Sequence, residues 1–170
     1  EIKSSPFQIG ILSALAGLIA PLASLYGSHM MAYKSRKKIV LSFVLLQIIF
    51  WLPIIFIGIL YLGGILQDYL VYAFIILFTL YTLFGGVAGP PWFSWVGDLV
   101  PEKDRGRYFA VRNKVGGAAG IIASLIGVVV LYLFEAKGLV LIGFSILFAL
   151  TFVFRIFSFY YLTKQYAPKF

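Results

Sequence analysis

The hydrophobic positions of this chain come in long runs rather than in the one-sided stripes of a water-soluble fold. No Lys, Arg, Asp or Glu occurs from Ser4 to Tyr33, from Ile39 to Gln67, from Tyr69 to Gly97, from Val115 to Phe134 or from Gly138 to Phe154. A helix rises about 1.5 Å per residue, so about 20 apolar residues cross a hydrocarbon core about 30 Å thick. Four of the runs suffice alone, and the fifth does so once it continues past Arg155 to Thr163. The pattern predicts an all-α integral membrane protein, a bundle of five transmembrane helices at 6–32, 39–62, 69–96, 107–134 and 139–163, forming one domain over 1–170.

Composition agrees: 62% of residues are hydrophobic and 12% charged, against about 25% charged in an ordinary soluble domain. A net charge of +8 raises the question of nucleic acid, but in a membrane protein the distribution of the cations decides. Eleven Lys and Arg fall on one side, in the stretches 34–38, 103–114 and 164–169, against two, Lys3 and Lys137, on the other. Positively charged loops stay in the cytoplasm, so the amino end of this chain is expected outside and the carboxyl end inside, with the lipid bilayer as partner and no nucleic acid. The chain opens with Glu1 rather than Met and shows no signal-peptide pattern. One further helix upstream is therefore expected, making six spans. Cysteine is absent, which removes disulfides and thiolate metal sites.

The spans differ in character. The first carries small residues at Gly10, Ala14, Gly17, Pro21, Ser24 and Gly27, which let helix backbones approach in lipid. The second is bulky, with Gln47 its uncharged polar group at depth. The third holds Gly85, Gly86 and Gly89 followed by Pro90 and Pro91. Two missing backbone donors predict a kink there, facing the bundle interior, where neighbours can satisfy the freed carbonyls. The fourth contains the small-xxx-small pair Gly116 and Gly120 as a packing surface.

Two loops on the basic side carry the motifs. One is Gly27-Ser-His-Met-Met-Ala-Tyr-Lys-Ser-Arg-Lys-Lys38, the other Trp95-Val-Gly-Asp-Leu-Val-Pro-Glu-Lys-Asp-Arg-Gly-Arg-Tyr-Phe109. Together they resemble the major facilitator superfamily of secondary transporters, and the second loop is similar to that of bacterial and archaeal members. The resemblance implies that the spans are helices two to six of a six-helix amino-terminal half. It implies a partial chain of a twelve-helix protein, in a prokaryotic-type cell membrane. It further implies that the remaining helices of the full transporter pack against these and that a small-molecule substrate binds between halves. In the first loop the family's acidic position falls on Met31 or Ala32, so only the basic end of that signature is present.

From this follow the candidate residues. Arg36, Lys37, Asp98, Arg105 and Arg107 form an expected gate cluster, because Asp98 sits at a helix carboxyl end where the dipole disfavours an anion and calls for cations. The other reading of these charges is a solvated set serving topology alone. Gln8, Ser13, Gln47, Thr82, Ser94, Asn113, Ser124 and Arg155 are the polar groups for a substrate path. Arg155 has two readings, a long side chain snorkelling to the headgroups or a charge facing a cavity.

Catalysis has no support: the six acids all lie at helix ends or loops, and His29 is the single histidine, too few ligands for zinc. No catalytic residue, metal or cofactor is expected. The absence of an intramembrane carboxylate leaves proton coupling open. The leading reading is a secondary transporter working by alternating access. The competing reading is a membrane scaffold or assembly subunit whose helices merely pack with a partner.

Overall fold

The computed structural model describes residues 5–65 and 67–167. Among these, five long helices and no strand make up the architecture: α1 (Pro6–Met30), α2 (Arg36–Leu62), α3 (Gln67–Leu99), α4 (Arg105–Glu135) and α5 (Val140–Lys164), with a single 3-10 turn at Glu102–Asp104. All five are long and apolar enough to cross a membrane. Two extend past the apolar runs into charged positions. α2 starts at Arg36 and α3 continues to Leu99, since a helix end at headgroup depth tolerates charged residues that the hydrocarbon does not.

Local chemistry sets the ends. Ser5 caps α1: its hydroxyl accepts from the Gln8 amide at 3.2 Å while its own amide donates to Gln8 Oε1 at 2.8 Å, and Pro6 fills the first helical position, where its missing N–H costs nothing. α2 and α4 both stop at a left-handed glycine, Gly64 (φ 71°) and Gly138 (φ 69°). The residues after them close back on the helix, Ile65 N to Leu60 O at 3.1 Å and Leu139 N to Phe134 O at 2.8 Å. These are Schellman closures, for which glycine is the favoured residue.

Chain order is not packing order. α3 lies between α1 and α2, α2 packs on α5, and α4 touches α5 and the 3-10 turn. The α1–α3 contact is backbone on backbone: a side chain at Gly27 would fall on the Val87 carbonyl oxygen, and one at Gly86 would come within 2.5 Å of Ala20 O. Pro91 has no N–H to give the Val87 carbonyl four residues earlier. That oxygen is turned instead to the Gly27 Cα, a C–H···O contact of the kind close helix pairs make. α3 runs unbroken through Pro90 and Pro91.

The ends of α1, α3 and α5 meet the starts of α2 and α4, forming a basic end. There Val40, Val44, Ile48, Trp95 and Leu162 make one buried cluster and Ala23, Ile39 and Val87 a second. Elsewhere large apolar side chains such as Leu18 and Ile121 are well exposed, as a surface bathed in lipid requires. α4 has no buried residue at all.

Candidate functional site

Arg36 opens α2 and Asp98 nearly closes α3, and the two form an ion pair. Each alone would be misplaced, a cation at a helix amino end and an anion at a carboxyl end. Paired, each supplies the charge that the other's helix end lacks. Their side chains are 34% and 42% exposed, so the pair contributes about 0–1 kcal/mol, a strength that a conformational change can overcome. Lys37, the next residue, points the other way. Its Nζ donates to the carbonyls of Thr163 at 2.8 Å and Gln165 at 2.6 Å, where the negative end of the α5 dipole favours a cation. Trp95 Nε1 donates to the Tyr166 carbonyl at 2.9 Å, and Lys37 Nζ lies 5.8 Å from the Trp95 ring centroid.

The residues expected as one gate cluster thus divide. Arg36 meets Asp98, Lys37 ties α2 to the end of α5, and Arg105 Nε reaches the Val100 carbonyl at 3.3 Å, bracing the turn before α4. Arg107 is exposed. Arg112 packs its guanidinium 4.5 Å over the Trp92 ring, and Phe93 meets Phe109 at 5.9 Å, so the start of α4 is fastened to α3 by aromatic and cation–π contacts.

Deeper in the bundle a polar stratum joins three helices. Gln47 of α2 is 3% exposed, its Nε2 donates to the Tyr81 carbonyl of α3 at 3.1 Å, and its Oε1 accepts from Nη2 of Arg155 on α5. Gly85 makes room for the amide, since a Cβ there would lie 2.7 Å from Gln47 Nε2. One turn further along α2, Trp51 meets Tyr81 edge to face (5.4 Å) and Phe148 at a tilt (5.6 Å). Trp51 Nε1 and Arg155 Nε are both buried and without an acceptor among the described residues.

Away from the basic end, a cavity of about 250 Å³ opens between α1, α2, α3 and α5. Ile54, Phe74 and Phe148 are among its walls, and Gln8 is one of its few polar groups. The other proposed path residues scatter. Asn113 lies on exposed α4 and accepts from Arg112 at 3.0 Å, Thr82 is spent on the Phe78 carbonyl of its own helix at 2.8 Å, and Ser94 is half-buried. Ser13 and Ser124 are exposed. Gly89, Gly116 and Gly120 face nothing within 4 Å.

The connections that sequence reasoning missed are the Lys37 and Trp95 bonds to the end of α5 and the unsatisfied Trp51 indole. An aromatic and a lysine at the headgroup level carry no signal that distinguishes a clasp from ordinary interface anchoring.

Compared with known protein families, residues 1–169 match the model of the Major Facilitator Superfamily. No curated protein and no solved structure matches the chain.

Proposed function

This chain belongs to the Major Facilitator Superfamily, and on that premise we propose that it works as part of the amino-terminal half of a secondary transporter, moving a small solute by alternating access with its basic end in the cytoplasm. Members of that family are transporters rather than enzymes. The observation that carries the reading is the Arg36–Asp98 ion pair, which joins the start of α2 to the end of α3 at the basic end. A pair this exposed holds one conformation weakly, and a weak cross-helix contact is what a gate that opens and closes requires. The polar stratum at Gln47 and Arg155 lies about halfway along α2 and α5, the depth at which transporters of this kind hold their cargo.

The test is Asp98→Asn in the full-length protein, with accessibility of single introduced cysteines measured from each side of the membrane. The expected result is a shift toward the conformation open at the basic end. An unchanged balance overturns the gate reading.

A further inference from the structure

We propose that Arg155 anchors a binding site for a small oxyanion, of the carboxylate or phosphate type. The case is one of donors without acceptors. A guanidinium carries five N–H donors and no acceptor. Among the described residues Arg155 gives Nη2 to Gln47 and leaves Nε buried and unpaired. The buried Trp51 indole, one turn along the same helix from Gln47, also lacks an acceptor. Gln47 gives its Nε2 to the Tyr81 carbonyl and takes one bond from Arg155 at Oε1, and neither Trp51 Nε1 nor Arg155 Nε bonds to it.

Charge points the same way. Arg155 is the only charged residue between Gly138 and Thr163, and Asp98 is taken by Arg36. Arg155 is half-buried with its Nε enclosed, and a cation without a counter-charge is costly inside a membrane. Gln47 and Gly85 fix the guanidinium in place without neutralising it, which is the arrangement of a receptor rather than of a closed ion pair. The planar fork matches two oxygens of a carboxylate or phosphate. The assignment rests on the transporter reading only in making this anion the cargo.

The experiment uses purified full-length protein in detergent, with thermal unfolding followed in acetate, succinate, phosphate and, as the ionic-strength control, chloride. At least one oxyanion is expected to raise Tm above the chloride value in the wild type, because a ligand that binds only the folded state stabilises it. Arg155→Gln is expected to lose that rise. Gln47→Glu, which sets a carboxylate beside Arg155, is expected to lose it too, whatever its Tm in chloride does through loss of the Gln47 amide bond to Tyr81. This second variant decides the matter if the first does not fold. No oxyanion effect in the wild type overturns the proposal, as does an effect that survives in both variants. A drop in Tm for Arg155→Gln without any oxyanion response in the wild type also overturns it, by assigning the counter-charge to a carboxylate of another segment. If these measurements fail while Asp98→Asn still shifts the access balance, the anion assignment alone falls. If the oxyanion effect holds and the access balance does not move, the site stands without the transport reading.

Discussion

The carbonyl oxygen of Val87 occupies the space that a side chain at Gly27 would need. The contact is local in cause, a proline four residues after Val87 that withholds its N–H, and global in effect, because it sets how closely α1 approaches α3. Gly27→Ala and Gly86→Ala each force backbone apart and are expected to cost about 1–3 kcal/mol, the usual range for overpacking. Gly58→Ala serves as the control: its Cβ would meet only Ser145 Oγ at 3.5 Å, so its stability should hold or rise slightly. Thermal unfolding of the three full-length variants in one detergent checks this, and equal losses in all three would refute the close-contact account.

The Arg36–Asp98 pair predicts a rescue. Either Arg36→Asp or Asp98→Arg alone sets like charges together and should shift the access balance. The double exchange restores opposite signs but places each charge at the helix end that favours it, so it should recover the closed basic end at least to the wild-type level. Cysteine accessibility in the single and double variants reads the outcome.

Lys37 makes a prediction about dynamics. It holds two carbonyls at the end of α5, and charge-assisted bonds of this sort contribute about 1.5–3 kcal/mol each. Lys37→Met should increase hydrogen exchange at residues 163–166 by an order of magnitude or more, Lys37→Arg should increase it less, and Trp95→Phe should act mainly on the Tyr166 side. Exchange measured by mass spectrometry on the full-length protein distinguishes the three.

What was legible in the sequence follows from what lipid demands. Charge-free runs give the five helices, because a charge inside the hydrocarbon is costly. The neighbours are not legible, because helices that are apolar on every side carry no stripe naming their partner. Gly27 and Gly10 look alike in the small-residue face of α1, yet only Gly27 meets another helix within 4 Å among the described residues. Gln47 and Arg155 stand out as polar groups at depth, but their pairing spans 108 residues and needs the α2–α5 contact to be known first. Lys37 reads as one more basic loop residue beside Arg36, and only the opposite directions of the two side chains separate their roles.

The orientation proposed for the bundle is checked with two reporters. This chain has no cysteine of its own, so Lys103→Cys and Lys137→Cys can be labelled by a membrane-impermeant maleimide once any cysteine elsewhere in the full protein is replaced. Position 137 should react in intact cells and position 103 only in inverted vesicles. The reverse pattern refutes the cytoplasmic placement of the basic end.

The two glycine-closed turns have a consequence for how such a bundle is made. Gly64 and Gly138 let α2 with α3, and α4 with α5, fold as tight hairpins whose tips hold few residues between helices. With the basic end retained in the cytoplasm, the material to be carried across the bilayer during biogenesis is those tips. The α2–α3 tip carries Asp68 beside it, and Glu135 and Lys137 flank the α4–α5 tip with opposite charge. A charge costs about 2.5–3.5 kcal/mol at the bilayer centre, so a translocated side that carries two Lys rather than eleven Lys and Arg keeps that work down. In the proposed orientation eleven of the fourteen Lys and Arg stay on the side where they are made.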